Sequence, residues 1–344
     1  IIDADAYPTE LQKVKAHIAL HQVYGVDLNA TAVELAEVSL WLDTMFEGLE
    51  APWFGLHLRR GNSLVGARPA VYSDPELKSK NWTKHAGVQL PIGQDPDGTV
   101  FQFLLPRADW AAAQDHKEAK EYDPETCRDL KNWRASMLHS PSATQKKRLK
   151  ALSQQAAILW DLATRRLRIA EQEIHRSITL WGQEEQEKVP AVTREQVEAS
   201  LRDANSAYQR LSTVMDIWCA LCYWPTTLDP ALLPTWEEWL DFLEGMLGIL
   251  EVGDRISRKN ADQESLFGAD TWDTLEEREH ATLLFSQCED AHQLLDATPW
   301  AGEAKRISDR EGFFHWWLDF APLFADNGGL GPVSYTHLRA HETL

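Results

Sequence analysis

The sequence predicts an α/β protein, a short core of parallel strands and helices followed by a long, mainly helical stretch. Three observations lead there. "HQVYGVDLNATAVELAEVSLWL" (21–42) runs from an apolar strand straight into a helix-patterned stretch. "LHLRRGNSLVGA" (56–67) is a second short strand ended by polar residues. Beyond residue 107 the apolar residues fall mostly at helical spacing.

Taken in order, a helix over 8–20 precedes a strand over 22–28. Asn29 or Thr31 caps the next helix, whose Val33, Leu35, Ala36, Val38, Leu40, Trp41 and Leu42 leave little polar face, so burial is expected. A loop over 46–55 leads to the second strand, which ends near Gly61 and Asn62. Together these make a βαβ unit, whose ligand belongs beyond the carboxyl ends of the strands. "PIGQDPDGTVFQFLLP" (91–106) predicts a small hairpin turning on Asp-Pro-Asp-Gly. Long helices are then expected over 108–138, 142–181 and 193–223, the last closed by Pro225 and Thr226. Another covers 235–250, where Thr235 and Glu238 form a capping box. A mixed-charge loop over 251–270 and helices over 272–296 and 298–311 complete the pattern.

Composition narrows the function. At 44% hydrophobic and 25% charged residues the chain reads as a globular protein able to bury a sizeable core. No apolar run is long enough to span a membrane, and no signal-peptide pattern opens the sequence, so a cytoplasmic location without membrane partners is expected. A net charge of −19 disfavours a general nucleic-acid binder, although cationic clusters occur at 58–60, 146–150 and 164–168. The last two are read as solvated helix faces. Four scattered cysteines suit a reducing compartment, and Cys219 and Cys222, a C-x-x-C within an apolar run, are read as core with no metal site. The 15 tryptophans are read mainly as core, because aromatic stripes at helical spacing usually are.

One residue carries chemistry by its position. Asp27 ends a strand with a helix directly behind it, where a carboxylate accepts hydrogen bonds from both ribose hydroxyls of a nucleoside cofactor. Leu28 would then lie against the base. Nicotinamide cofactors are held by the same device. Asn62, at the end of the next strand, supplies an amide able to read an adenine edge, or alternatively serves as a turn residue in "GNS".

"VYGVDLNATAVELAEVSLWL", followed by "LHLRRGNSLVGA", resembles the adenine-N6 DNA methyltransferases of restriction-modification and phage-defence systems, closest to the large one-chain type IIG-like enzymes. The likeness is dense over 21–67 and recurs at "REGFFHWWLDFAPLFADNGG" (310–329). It implies a partial class I, Rossmann-like methyltransferase core over 1–72, a loop and hairpin over 73–106, a helical insertion over 107–304 and a return to the core over 305–331. It further implies that Asp27 binds the ribose of S-adenosyl-L-methionine, that Leu28 packs on its adenine, and that Asn62 with Ser63 meets the adenine edge. Family members often carry Asp at the position of Asn62. Double-stranded DNA is the implied substrate, with defence-system proteins as candidate partners.

Two family motifs are absent from the sequence. The glycine-rich loop that cradles the methionine part of the cofactor would precede residue 1. The Asn-Pro-Pro-Tyr/Trp tetrapeptide, whose Asn and backbone carbonyl polarise the amino group of a flipped adenine, would follow near 328–331. At and beyond Gly331 the chain reads "GPVSYTHL" instead. No catalytic residue is therefore assigned, and the chain is expected to be an inactive internal piece of a larger enzyme. "SYTHLRAHET" (334–343) back-translates to a transposase adapter used in DNA library preparation, so 332–344 is expected to be foreign. His315 is read as a packing or hydrogen-bonded helix-end residue. Three other readings stay open: a methylase of protein or RNA, an NAD-type oxidoreductase, and a non-enzymatic helical scaffold.

Overall fold

A computed structural model describes residues 5–47, 49, 53–174, 178, 180–181, 192–249 and 270–326. The expected loop at 251–270 lies outside them, apart from Asp270. So do Gly331, where the core was expected to end and beyond which the catalytic tetrapeptide was sought, and the 332–344 tail. Of the segment expected to return to the core, over 305–331, the described residues end at Asp326.

The βαβ unit forms as the pattern predicts, in shorter pieces. Helix α1 (Tyr7–Gln22) leads to β1 (Gly25–Asp27), α2 (Ala30–Thr44) and β2 (Leu58–Arg60). The strands pair in parallel, Gly25 opposite Leu58, Val26 opposite Arg59 and Asp27 opposite Arg60. Asn29 caps α2, its side chain accepting from the Thr31 N–H at 3.0 Å. A third segment continues the sheet, as Asn62 forms a parallel bridge with Phe313. The chain is thus mixed α/β and mostly helical, with two parallel strands and one bridge at this place among the described residues.

Helix α2 departs from expectation. Val33, Ala36 and Leu40 pack inward, against a small core that includes Ala16, Ala19, Leu20 and Leu58. Leu35, Val38, Trp41 and Leu42 face outward. An apolar helix is buried only where a neighbour covers each face, and here one face has no cover from the described residues.

The hairpin expected over 91–106 is also replaced. Its turn exists, with Asp97 and Gly98 at positive φ and the Asp97 N–H bonded to Asp95 Oδ1 at 2.8 Å. However, β4 (Val88–Gln89) and β5 (Val100–Phe101) do not pair with each other. Both flank β3 (Ala70–Tyr72) in an antiparallel sheet.

The helical region breaks at capping residues. The 108–138 stretch divides into α4 (Lys117–Tyr122) and α5 (Pro124–Met137), following the short α3 (Asp74–Ser79), because Asp123 caps the Thr126 N–H and Pro124 occupies the first turn. Helix α6 (Ala143–Ile174) is its long axis. The 193–223 stretch divides into α7 (Arg194–Arg202) and α8 (Ala207–Ala220), Ser206 capping the latter. Helix α9 (Trp236–Leu247) carries the predicted Thr235–Glu238 capping box. Helices α10 (Trp272–Phe285), α11 (Ala291–Ala297), α12 (Pro299–Glu311), α13 (Trp316–Asp319) and α14 (Ala321–Asp326) complete the described order.

One large core runs from Leu56 to Ala321 and takes in Trp110, Trp224 and Trp239, so most tryptophans pack as expected. Their indoles also fasten irregular backbone: Trp239 Nε1 donates to Leu104 O at 2.9 Å and Trp218 Nε1 to Leu105 O at 2.7 Å. Cys219 and Cys222 sit in this packing as free thiols. Burial pushes the Cys222 thiol up to about 12, which removes it as a nucleophile or ligand at neutral pH.

Candidate functional site

The carboxyl ends of β1 and β2 lie side by side, and the four residues singled out from sequence gather there. Gly61 N–H donates to the Asp27 carbonyl at 2.9 Å, and Asn62 N–H donates to the Gly312 carbonyl. Three segments are thereby laced edge to edge: 25–28, 58–63 and 312–314. Asp27 is exposed, and its Oδ1 accepts the Asn29 N–H at 2.7 Å. That bond fixes the rotamer through the turn into α2 and occupies one carboxylate oxygen in part. Leu28 is 49% exposed, as an apolar platform for a ring would be. A β-carbon on Gly312 would come within 3.1 Å of Leu28 Cδ1, and Gly312 itself sits at φ +66°. Both facts tie that glycine to the place.

Asn62 takes the turn role. Its Oδ1 accepts the Leu64 N–H at 3.1 Å, so the amide's Nδ2 is the group better placed to address a ligand. Donation, more than acceptance, is what this position offers. Ser63 contributes its carbonyl, which accepts from Trp316 Nε1 at 3.0 Å and fixes the loop from beneath. Arg60, unremarked in the sequence reading beyond its cluster, donates from Nε to the Leu28 carbonyl at 3.3 Å.

Behind the strand ends stands a buried polar support. Arg59 Nη2 donates to Tyr208 Oη at 2.7 Å and lies 3.2 Å from Asp319 Oδ1; Tyr208 Oη donates to the same carboxylate oxygen at 2.6 Å. Burial pushes the Tyr208 phenol above its usual range, so it stays protonated as the donor. His315 starts α13 as the hydrogen-bonded helix-end residue predicted. Its Nδ1 accepts the Ala67 N–H at 3.0 Å, which puts the proton on Nε2, 3.3 Å from Asp216 Oδ1. Burial pushes the Asp216 carboxyl up, but His315 and Lys305 outweigh it and hold the group below its ordinary value. Both clusters bind the core loop to the helical region.

Beyond Ser63 the loop borders an open cleft of about 620 Å³ between the core and the helical region. Leu64, Val65 and Gly66 form one wall; Arg107, His116 and Tyr223 belong to the other. Sequence reasoning missed this cleft, because its walls come from segments far apart in the chain.

The cationic clusters do not form a free basic groove. Arg148 is held by Glu237, Asp241 and Glu244 across α9, at 2.7, 2.5 and 2.7 Å. Arg166 is buried against Glu279 and stacks over Trp272, which corrects the expectation of a solvated face there. Arg107 pairs with Asp109 and stacks on Trp218. Among the described residues no cluster of His, Cys, Asp or Glu has a metal-holding arrangement, and no helix is long and apolar enough to cross a membrane.

No family model, curated protein or solved structure matches this chain.

Proposed function

We propose that Asp27, Leu28 and Asn62 form the nucleoside half of an S-adenosyl-L-methionine site, in a piece of an adenine-N6 DNA methyltransferase. The observation that carries this reading is the adjacency of an exposed strand-end carboxylate, an exposed leucine platform and an amide donor across two hydrogen-bonded strands. Asp27 would grip the ribose hydroxyls, where charge-assisted hydrogen bonds are the stronger kind. Leu28 would cover one face of the adenine, and Asn62 Nδ2 would donate to its edge.

The cofactor supplies a methyl group on sulfonium, and the protein's part is positioning and polarisation. In this reading the cleft beside Ser63 receives the target nucleotide, with Tyr223 and Leu64 as apolar walls. The sequence contains no Asn-Pro-Pro-aromatic tetrapeptide, at Gly331 or elsewhere, to polarise an adenine amine. Residues 1–344 therefore bind the cofactor's nucleoside and do not turn over. The internally paired arginines and the net charge of −19 further predict weak, salt-sensitive affinity for DNA by this chain alone.

Equilibrium titration separates the candidate cofactors. S-adenosylhomocysteine and adenosine should bind, and NAD should not bind more tightly than adenosine. Preferential NAD binding would move the site to the oxidoreductase class. No binding of any adenine nucleoside would leave a helical scaffold as the better reading. Methyl transfer to mixed-sequence DNA above background would refute the predicted lack of turnover.

A further inference from the structure

On the nucleoside reading of the Asp27 edge, we propose that His315 is the positioning residue of that site, and that Asp216 fixes the tautomer in which it acts. Asn62, whose Nδ2 addresses the ligand, opens a short loop that ends at Ala67. Inside the loop the Val65 N–H donates to the Asn62 carbonyl at 3.2 Å. Among the described residues, the hydrogen bonds that leave the loop all run to one segment, 312–316. The Asn62 N–H donates to the Gly312 carbonyl, the Phe314 N–H to the Val65 carbonyl at 3.0 Å, and Trp316 Nε1 to the Ser63 carbonyl at 3.0 Å. The fourth bond runs from the Ala67 N–H to His315 Nδ1, also at 3.0 Å. Backbone and indole groups keep their hydrogen-bonding sense at any ordinary pH. The imidazole does not.

Both sides of the His315 ring ask for the same tautomer. A backbone N–H only donates, so Nδ1 must present a lone pair to Ala67. Nε2 lies 3.3 Å from Asp216 Oδ1 on α8, and a carboxylate only accepts, so the proton belongs there. The ring is 1% exposed, which leaves no water to stand in for either partner. The charged groups around it are few. Lys305 on α12 lies 3.1 Å from Asp216 Oδ2 and 2.9 Å from Asp309 Oδ1. Asp319 on α13 accepts the His315 N–H at 2.8 Å and pairs with Arg59 of β2. From the loop side only backbone approaches: a β-carbon on Gly66 would meet Nδ1 at 3.2 Å.

A second proton on His315 would turn Nδ1 into a donor facing another donor, and the loop would lose its hold at Ala67. Truncating the side chain removes the same hold without adding charge. Either change frees one end of the segment that carries Asn62, so Nδ2 is no longer fixed before the ligand arrives and affinity falls. Helices α8 and α12 thereby govern a site whose ligand edge is built from 25–28 and 58–63.

Calorimetric titration of residues 1–344 with S-adenosylhomocysteine, from pH 8 to pH 5.5, tests this on three proteins whose folding is checked by circular dichroism. The wild type should bind about tenfold more weakly at the acid end. His315→Ala should bind about tenfold more weakly already at pH 8. His315→Asn presents Oδ1 in place of Nδ1 and takes up no proton, so it should recover most of that loss and keep its affinity across the range. If His315→Ala fails to fold, the pH profiles of the wild type and His315→Asn decide. Equal affinity of folded His315→Ala and wild type, or a parallel acid fall in His315→Asn, overturns the proposal and leaves the nucleoside site standing. A wild type that binds no adenine nucleoside removes the site itself, and the proposal with it.

Discussion

The Gly61 N–H donates to the Asp27 carbonyl at 2.9 Å, one residue before Asn62. That bond brings the ends of β1 and β2 to the same level, so a carboxylate and an amide separated along the chain meet at one edge. Replacing Asp27 by Asn keeps an oxygen for the Asn29 N–H and removes the charge. The variant should retain the wild-type melting temperature while binding S-adenosylhomocysteine at least about tenfold more weakly, as loss of a charge-assisted bond implies. Calorimetric titration beside a thermal melt checks both halves.

Asp319 is expected to be the most sensitive support of this site. It neutralises the partly buried Arg59, which lies opposite Val26 in the sheet. Truncation to Ala leaves a partly buried guanidinium with Tyr208 as its remaining hydrogen-bond partner and should cost about 2 kcal/mol in urea unfolding. Tyr208→Phe removes one donor and leaves the ion pair, so its cost should be smaller, about 1 kcal/mol. Equal costs would contradict this division of labour.

Gly66 should tolerate no side chain. A β-carbon there would fall 2.0 Å from the Phe314 carbonyl oxygen, against backbone that cannot swing aside as a side chain can. Gly66→Ala is expected to destabilise the protein by about 2 kcal/mol or more, as overpacking does. It should also weaken nucleoside binding, because the 312–315 segment it displaces is laced to Asn62. A melt unchanged by this substitution would show that the segment does not lie against the loop.

His57 gives the stability a pH dependence. Burial, with His21 nearby, lowers its imidazole to about 4. The unfolded chain therefore takes up this proton near pH 6.5 and the folded protein only near 4. Stability is complete above pH 6.5 and falls as the pH drops toward 4, by an amount on the order of 3 kcal/mol for this group. Urea midpoints measured from pH 7 to 4.5 should show that decline, and His57→Gln should flatten its upper part.

The parts of this architecture that were legible in the sequence depend on neighbours in the chain. Asn29 caps the helix beside it, Thr235 and Glu238 close a capping box, and Asp27 ends its strand, all within a few residues. Breaks at Asp123–Pro124 and Ser206 were equally local, and the long periodic stretches obscured them. Other features required distant partners. β3 separates the two strands expected to form a hairpin. Arg148 finds its carboxylates about ninety residues away, so a cationic run that reads as solvated becomes a clasp between helices. The outward face of α2 shows the same rule from the other side. An apolar pattern predicts that something covers a helix and says nothing of what does.

A crystal structure of residues 1–344 with S-adenosylhomocysteine tests the central claim most directly. The account predicts both ribose hydroxyls within hydrogen-bond distance of the Asp27 carboxylate, the adenine against Leu28, and Asn62 Nδ2 donating to the ring. Density for the ligand elsewhere, or an Asp27 side chain turned from it toward Asn29 alone, would contradict the account.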